Sequence, residues 1–400
     1  MLPADEQLEI LMRGVERVVP EDELATRLAE GKPLRVKLGL DPTAHEVHLG
    51  WAVVIGLLRR FQELGHTAVL IVGDFTAQVG DPSGKSETRQ RLDDAAVKEY
   101  ASSVLADVEE LLSPDNLEIR YNSEWLSSLN MPEVLDLASK VTLAQMMERA
   151  DFAKRYGDNE PISLIEFMYP LLQGMDSVAV KADIELGGAD QLWNLLMGRE
   201  LQSKHGQTGQ VAMTTGLLVG TDGTRKMSQS YDNFIAVKDS ATEMFGKVMS
   251  LPDEAMAQYF ALATDIPLGE VAEIEAGLSS GDLHPGEIKR RLGRAVAGRY
   301  WGDDAARSAE EAFDRQFKDH QVPVDVADCT LPDGDPVWIP GALRLAGLVK
   351  SGSDGKRLVA QGAVKIDGQP VATEDVARPA LVGRVVQVGK RRFVRFIDPA

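Results

Sequence analysis

The sequence predicts an α/β fold, with a doubly wound parallel sheet followed by a helical domain and a small α+β domain. RVKLGL (35–40) and TAVLIVGDF (67–75) are apolar runs on either side of a stretch with helical spacing, and this order fits a parallel βαβ unit. Residues from about 240 to 317 are rich in Ala, Glu and Arg and have helical periodicity. Beyond a stretch dense in Pro and Asp, residues 339–396 indicate two helices and then short strands with Asp-Gly and Val-Gly turns.

The remaining elements of the first domain follow from the same patterns. AAVKEYASSVLADVEELL predicts a helix, and NLEIRYNSEW predicts a strand and a turn. Residues 141–206 are predicted to be rich in helix, broken by GGADQ. The predicted boundaries are 1–238 for the first domain, 239–320 for the helical domain, 321–336 for a linker and 337–400 for the last domain.

Composition limits the class of protein. Four hundred residues that are 44% hydrophobic suffice for two or three domains. The net charge is −19, yet residues 335–400 hold eleven Lys or Arg against six Asp or Glu, so an acidic body carries a basic tail. The single cysteine, Cys329, excludes an internal disulfide and a cysteine-rich metal site. Because no apolar run could span a bilayer and MLPADEQLEI lacks the order of a secretory signal, we expect a cytoplasmic protein without a membrane partner.

DPTAHEVHLGW (41–51) lies where the first strand of the βαβ unit ends, which is where ligands of parallel sheets bind. Thr43 offers a hydroxyl, and His48 is placed at the start of a helix, where backbone N–H groups favour phosphate. Gly50 lets an adenine ring approach the backbone closely. These residue types in this order are suited to binding ATP.

RKMSQS (225–230) is the second motif with phosphate chemistry. Lys226 supplies a mobile positive charge and the serines supply hydroxyls, as expected of a loop that closes over a triphosphate. GDPSGKSETR (80–89) is a poor match to a phosphate loop, because Val79 stands where that loop needs its first glycine.

In this order and in a βαβ context, the motifs resemble those of the bacterial-type tyrosyl-tRNA synthetases, a family of class I aminoacyl-tRNA synthetases. The resemblance runs over nearly the whole chain. It implies a Rossmann-like catalytic domain, a helical anticodon-side domain and a C-terminal RNA-binding domain. It also implies a homodimer, with the helical insertion before Tyr169 as its interface.

The activity that the resemblance implies is that of a tyrosine–tRNA ligase. Such an enzyme activates tyrosine with ATP to tyrosyl-adenylate and transfers the tyrosyl group to the 3′ end of tRNA(Tyr). ATP with Mg²⁺ is the cosubstrate, and no metal site of the protein itself is implied.

The resemblance implies roles for individual residues as well. The implied tyrosine ligands are Lys37, Asp81, Tyr169, Gln173, Asp176 and Gln191. The implied ATP ligands are Asp41, Thr43, His48, Gly50, Trp51, Gly188, Asp190, Lys226, Met227 and Ser228. The implied catalytic residues are Thr43, His48, Lys85, Arg89, Lys226 and Gln229. The implied tRNA contacts, on two helices of the basic tail, are Arg344, Lys350, Lys356 and Arg357.

YPLLQGMD (169–176) determines the substrate. On a helix, Tyr169, Gln173 and Asp176 fall at i, i+4 and i+7 and share one face. The resemblance implies that Tyr169 and Gln173 bind the amino group of tyrosine and that Asp176 accepts the hydrogen bond of its hydroxyl. Phenylalanine is rejected because it leaves Asp176 without a partner.

Three positions depart from the family pattern. Trp51 replaces the second histidine of the His-x-Gly-His motif, and Gln229 replaces the second lysine of Lys-Met-Ser-Lys-Ser. Lys37 stands where some members have a tyrosine that touches the substrate hydroxyl. Two other functions stay open: a relative that activates tryptophan, and a catalytically impaired RNA-binding protein on the same scaffold.

Overall fold

The computed structural model describes residues 1–83, 93–317, 326–389 and 392–398. The chain forms two compact units, Met1–Ala306 and Arg307–Ala400. None of the described helices combines the length and the apolar content that crossing a bilayer requires.

A six-stranded sheet forms the centre of the first unit. Its strands are β1 (Val15–Val19), β2 (Arg35–Leu40), β3 (Thr67–Val72), β4 (Leu117–Tyr121), β5 (Ile184–Gly188) and β6 (Val211–Thr215). Their order is β1-β6-β5-β2-β3-β4, and all neighbours are parallel except β1 and β6. The chain therefore runs outward from β2 to β4 and returns to the other side of β2 as β5. This is the predicted doubly wound sheet, and its switch point lies between β2 and β5.

Three strands of this sheet, β1, β5 and β6, were not predicted. β1 adds an antiparallel edge beside β6. Helices α8 to α11 confirm that 141–206 is helix-rich, but the break at GGADQ includes the end of β5, a strand that was not predicted. Five residues between two long helices are too few to show a strand periodicity, whereas pairing with β2 and β6 on both sides stabilises the extended backbone.

The helices up to residue 317 surround or follow this sheet. They are α1 (Ala4–Leu11), α2 (Glu21–Ala29), α3 (Leu49–Glu63), α4 (Thr76–Val79), α5 (Asp94–Leu111), α6 (Ser123–Leu126), α7 (Met131–Ser139), α8 (Leu143–Met146), α9 (Ala150–Gly157), α10 (Leu164–Val180), α11 (Leu192–Lys204), α12 (Ala241–Met249), α13 (Met256–Ala263), α14 (Leu268–Ser280), α15 (Pro285–Trp301) and α16 (Asp303–Phe317). The helical region predicted after the RKMSQS motif is thus present.

Helix α3 connects β2 to β3 and holds the end of the DPTAHEVHLGW motif at the switch point. It starts at Leu49, after His48 in an extended backbone conformation, and it ends before Gly65, whose φ of +92° favours glycine. Ile55, Leu58 and Phe61 on its inner face are fully buried. Burial of each such side chain contributes about 1.5 to 3 kcal/mol, which holds the helix start against the strand ends.

Helix α10 presents the YPLLQGMD face. Ser163 and Glu166 form a reciprocal capping box at its start, and Lys181, with a φ of +51°, ends it. Arg155 Nη1 lies 2.5 Å from Glu166 Oε2, and both side chains are buried. These contacts determine where the helix begins and therefore which residues face the sheet.

The second unit contains a five-stranded sheet, two short strands and two helices. The five-stranded order is β10-β9-β12-β13-β7, and β8 pairs with β11. The strands are β7 (Asp328–Thr330), β8 (Val337–Trp338), β9 (Val364–Ile366), β10 (Gln369–Pro370), β11 (Asp375–Val376), β12 (Val385–Val388) and β13 (Arg392–Ile397). The helices are α17 (Ile339–Leu345) and α18 (Gly352–Ala360).

The predicted order of two helices followed by short strands agrees with this unit. β7, however, lies inside the predicted linker of 321–336 and pairs in parallel with β13. The stretch dense in Pro and Asp therefore contributes a strand to the last sheet.

Candidate active site

One pocket opens at the switch point, at the carboxyl ends of β2 and β5. It is lined by the loop after β2, the start of α3, one face of α10, the turn after β5 and the RKMSQS loop. The predicted site residues that it brings together are Asp41, Thr43, His48, Gly50, Trp51, Asp81, Tyr169, Gln173, Asp176, Gly188, Asp190, Gln191, Lys226, Met227 and Ser228. Lys37 and Gln229 do not line it. Lys85 and Arg89 lie outside the described residues.

Asp176 is a buried carboxylate on the pocket face of α10. Trp125 Nε1 donates to its Oδ1 at 2.9 Å, and Asn122 Nδ2 lies 3.3 Å from its Oδ2. Burial raises the pKa of Asp176 to about 7, while the charge of Lys37 and the two hydrogen bonds act in the opposite direction. A carboxylate in this setting can accept a hydroxyl hydrogen bond from a ligand.

Sequence reasoning missed Trp125 and Asn122. Both follow β4 directly, in the NSEW segment. Polar residues that follow a parallel strand are candidates for a site, and that signal would have found them.

Asp41 and Tyr169 form a linked pair near the middle of the pocket. The Tyr169 hydroxyl donates to Asp41 Oδ2 at 2.9 Å, and Thr76 Oγ1 donates to Asp41 Oδ1 at 2.7 Å. Burial, together with the charge of Asp41, raises the pKa of Tyr169 well above its ordinary value, so the phenol stays protonated. A Cβ on Gly73 would lie 2.0 Å from Asp41 Oδ1, so only glycine fits beside this carboxylate.

Asp81 and Gln191 meet on the other side of the pocket. Gln191 Nε2 donates to Asp81 Oδ2 at 2.8 Å, and the backbone N–H of Ser83 donates to Oδ1 at 2.8 Å. Asn194 Nδ2 donates to Gln191 Oε1 at 2.9 Å, which fixes the orientation of the Gln191 amide. Asn194 was not among the predicted residues; it lies on α11, three positions after Gln191.

His48 is buried beside the RKMSQS loop. Burial lowers its pKa to about 4, with a smaller contribution from the charge of Lys226, so the ring is neutral at pH 7. Its Nδ1 is buried and has no hydrogen-bond partner among the described residues. A Cβ on Gly50 would lie 3.0 Å from this Nδ1, so the lack of a side chain at Gly50 permits the close approach of the backbone to the ring.

Lys226 is held across the pocket by an acidic residue. Its Nζ lies 2.6 Å from Asp190 Oδ2. The turn before it is pinned by Asp222, which accepts hydrogen bonds from the backbone N–H groups of Thr224 and Arg225. Those bonds hold the pKa of Asp222 well below its usual range. The loop therefore has a defined conformation in which Lys226 faces the pocket.

The departures from the family pattern have distinct positions. Trp51 lines the pocket, with its ring centroid 5.8 Å from that of His48. Gln229 Nε2 instead donates to the carbonyl oxygen of Glu46 at 2.6 Å. Arg225, the nearest other cation of the loop, is bound to Asp222 Oδ2 at 3.1 Å and stacks on Tyr231, so it is directed away from the pocket.

Lys37 was expected to contact tyrosine, but the structure places it behind the pocket. Its side chain is 0% exposed. Nζ binds Glu185 Oε1 at 2.8 Å, Ser177 Oγ at 2.9 Å and the carbonyl oxygen of Gln173 at 3.0 Å. The carboxylate of Glu185 on β5 draws the ammonium into the gap between β2, β5 and α10, away from the ligand space.

A resident metal ion would need grouped ligands. No three His, Cys, Asp or Glu side chains are grouped for a metal ion in the part of the chain that the structure describes.

Comparison with known proteins agrees with this geometry. The model of the family described as tRNA synthetases class I (W and Y) matches residues 29–318. The tyrosine–tRNA ligase of Moorella thermoacetica is 50% identical over 97% of this chain and 95% of its own length. That of Carboxydothermus hydrogenoformans is 46% identical over 99% of both chains.

Solved structures show the same fold. The tyrosyl-tRNA synthetase of Aeropyrum pernix has a TM-score of 0.60 at 24% identity, covering 78% of this chain and 99% of its own. A C-terminally truncated mitochondrial tyrosyl-tRNA synthetase of Aspergillus nidulans has a TM-score of 0.62 at 22% identity, covering 79% and 95%. With two relatives matching nearly end to end and a family model matching most of the chain, this protein belongs to the tyrosine–tRNA ligase family of class I tRNA synthetases.

Proposed function

We propose that this chain activates tyrosine with ATP to tyrosyl-adenylate and transfers the tyrosyl group to the 3′ end of tRNA(Tyr). One observation carries the proposal: the buried carboxylate of Asp176 faces the same pocket as His48 and Lys226. An acceptor for a phenol and groups suited to phosphate thus lie within one cavity. Family membership supports the same activity.

In the proposed reaction, a carboxylate oxygen of tyrosine forms a bond to the α-phosphorus of ATP, and the bond from that phosphorus to pyrophosphate breaks. No protein residue needs to form a covalent bond, so positioning and charge stabilisation provide the rate. Neutral His48 contributes a hydrogen bond, whereas Lys226 contributes a positive charge. Mg²⁺ enters with ATP as part of this cosubstrate.

The other two functions are less well supported. The pocket contains Asp81, Asp176 and Asp190 together, and a retired site has no reason to keep all three. An indole N–H can also donate to a buried carboxylate, as Trp125 does to Asp176, so this carboxylate by itself does not exclude tryptophan; the near end-to-end match to two tyrosine–tRNA ligases favours tyrosine.

Tyrosine-dependent exchange of labelled pyrophosphate into ATP tests the proposal. We expect exchange with tyrosine and none with tryptophan. Exchange with tryptophan alone would assign the other substrate, and a protein that binds tRNA without any exchange would be an RNA-binding protein.

Position 229 gives the first prediction. In Gln229→Lys, a charge is introduced next to Ser228, which lines the pocket, so we expect the exchange rate to rise about tenfold, as a charge-assisted hydrogen bond of about 1 to 2 kcal/mol allows. The tyrosine Kd should not change. Gln229→Met, which adds no charge, is the matched control and should not accelerate exchange. No rise with lysine would mean that another cation already fills this role.

The basic tail is the proposed contact with tRNA. Arg344, Lys350, Lys356 and Arg357 are all exposed, but Lys350 lies between α17 and α18 and not on a helix as expected. Lys356 is already paired with Glu374 at 2.9 Å, and Arg357 with Asp354 at 2.5 Å. Arg344 and Lys350 have no ion pair within the described residues, so their charges are the more available to phosphates.

The double variant Arg344→Gln/Lys350→Gln should therefore weaken tRNA binding and reduce the slope of log K against log salt by about 2. Pyrophosphate exchange should be unaffected because it needs no tRNA. Lys356→Gln is the control, and we expect a smaller loss because its charge is already neutralised. A filter-binding titration at several salt concentrations measures these effects, and an unchanged slope in the double variant would remove the tail from the tRNA site.

The helical insertion before Tyr169 is the proposed interface of a homodimer. Large apolar side chains are exposed there: Met131 at 68%, Leu135 at 63%, Leu143 at 65% and Leu164 at 83%. Exposed apolar surface of this kind marks interaction sites. Sedimentation equilibrium tests the proposal, and a monomer would contradict it.

Because aminoacylated tRNA is consumed by translation, we place the protein in the cytoplasm, which cell fractionation can test.

A further inference from the structure

We propose that the buried Lys37–Glu185 pair is a positioning device that orients the amide of Gln173, so that its oxygen faces the pocket and accepts a hydrogen bond from the ammonium group of the substrate. The inference rests on the proposed function, since it assigns a role in amino-acid binding. Lys37 and Glu185 are then positioning residues, and Gln173 is the residue that touches the substrate.

The donors of Lys37 are fully used inside the protein. Its ammonium group has three N–H donors, and three acceptors lie at 2.8 to 3.0 Å: Glu185 Oε1, Ser177 Oγ and the carbonyl oxygen of Gln173. No donor remains for a ligand. Any influence of Lys37 on the substrate must therefore pass through its neighbours.

Glu185 connects Lys37 to the amide of Gln173. Its Oε1 accepts from Lys37 and from Gln173 Nε2, the latter at 3.2 Å. Its Oε2 accepts from Ser177 Oγ at 3.0 Å and from Gln210 Nε2. The carboxylate is 1% exposed and depends on Lys37 for its counter-charge.

This arrangement decides which end of the Gln173 amide faces the ligand. The reverse orientation would place the amide oxygen against the Glu185 carboxylate, so electrostatic repulsion disfavours it. With Nε2 toward Glu185, Oε1 is buried from water and has no partner within the described protein. Buried acceptors are normally paired, and an ammonium group supplies the missing donor.

The network is tightly enclosed. A Cβ on Gly198 of α11 would lie 2.6 Å from Gln210 Nε2, 2.8 Å from Ser177 Oγ and 3.0 Å from Glu185 Oε2. Only glycine lets α11 pack this closely against the buried carboxylate. The network is therefore part of the packing between α10, α11 and β5.

The ammonium group of Lys37 also affects Asp176, at the end of the site proposed to bind the tyrosine hydroxyl. Among the charged groups around Asp176, Lys37 lowers its pKa and Glu185 raises it, while the donors Trp125 and Asn122 lower it further. Across the pocket, the charges of Asp41, Asp81 and Asp176 all raise the pKa of Tyr169. Lys37 thus favours the ionised form of Asp176.

Binding of two small ligands tests the orientation of Gln173 without requiring catalysis. Tyramine has the phenol and the ammonium group, whereas 4-ethylphenol has the phenol alone. In Glu185→Gln, an amide that can donate or accept replaces the carboxylate, so we expect the Kd of tyramine to rise about tenfold and that of 4-ethylphenol to stay the same. Ser177→Ala is the matched control: it removes another member of the network but leaves the Glu185–Gln173 contact, so the ratio of the two constants should not change.

A second variant tests the effect of the Lys37 charge on Asp176. As the pH is lowered, we expect Lys37→Met to lose tyrosine affinity at a higher pH than the wild type does. The reason is that the charge of Lys37 lowers the pKa of Asp176, so its removal raises that pKa. The double variant Lys37→Met/Glu185→Gln leaves no unpaired buried charge, and it replaces the single variants if either does not fold, as judged by thermal melting. It should show the same loss of preference for tyramine over 4-ethylphenol.

The outcomes distinguish failure of the proposed function from failure of the inference about Lys37 and Glu185. If wild-type protein binds neither tyrosine nor tyramine, the proposed function is wrong. If it binds both but Glu185→Gln weakens tyramine and 4-ethylphenol equally, or Lys37→Met leaves the pH midpoint unchanged, the pair has only a structural role and the inference is overturned.

Discussion

We expect Asp176→Asn to lower kcat/KM for tyrosine by about 10²-fold and to leave that for phenylalanine nearly unchanged. The reason is that a hydrogen bond to a charged, buried acceptor is worth up to about 3 kcal/mol, whereas phenylalanine never makes this bond. Asparagine keeps the size of the side chain, so the loss does not come from a cavity. Pyrophosphate exchange with each amino acid measures the two constants.

The pH dependence of tyrosine binding to the wild-type protein is a second test of the role of Asp176. Burial raises the pKa of Asp176 to about 7, so the carboxylate is ionised above that pH and gains a proton below it. If the ionised form alone binds tightly, tyrosine affinity falls nearly tenfold from pH 7.5 to 6, because the ionised fraction falls by that factor. Asp176→Asn should show no such fall.

Asp74→Asn is the matched control for this experiment. Asp74 also follows a strand of the sheet, but it binds Ser123 at 2.6 and 2.9 Å and does not line the pocket. We expect its preference for tyrosine over phenylalanine to equal that of the wild type. Equal losses for tyrosine and phenylalanine in Asp176→Asn would remove Asp176 from hydroxyl recognition.

We expect Lys226→Ala to lower the maximal exchange rate by about 10²- to 10³-fold and to leave the tyrosine Kd unchanged. Lys226 supplies positive charge in the pocket, and charge that develops on the phosphates is stabilised mainly in the transition state. In the structure this ammonium is bound to Asp190 at 2.6 Å, so it must exchange a carboxylate for a phosphate during the reaction. Rapid-quench measurement of adenylate formation isolates this step.

Arg225→Gln serves as the comparison, because Arg225 precedes Lys226 and has the same charge. Its guanidinium group binds Asp222 and stacks on Tyr231, so we expect less than a twofold change in rate. A large loss in Arg225→Gln would show that this arginine swings into the pocket and compensates for Gln229. A small loss in Lys226→Ala would contradict the phosphate role of Lys226.

Much of the fold followed from local patterns. The βαβ order around 35–75, the helix of AAVKEYASSVLADVEELL and the helices of 240–317 are each long enough to show their periodicity. The grouping of Tyr169, Gln173 and Asp176 on one face followed from helical spacing alone. β5 and β7 are too short for that, and they exist because neighbouring strands provide their hydrogen bonds.

In the candidate site, too, local motifs predict some features and tertiary contacts decide the others. The sequence by itself determined most of the residues that line the pocket, since Asp41–Trp51, the RKMSQS loop and the Tyr169–Asp176 face lie in contiguous motifs. Only the tertiary structure decided that Lys37 lies behind the pocket, that Trp125 and Asn122 hold Asp176, and that Gln229 binds the Glu46 carbonyl. These contacts join residues about 50 to 180 positions apart. Local periodicity reports only whether a residue is buried, whereas the order of strands in the sheet determines what it is buried against.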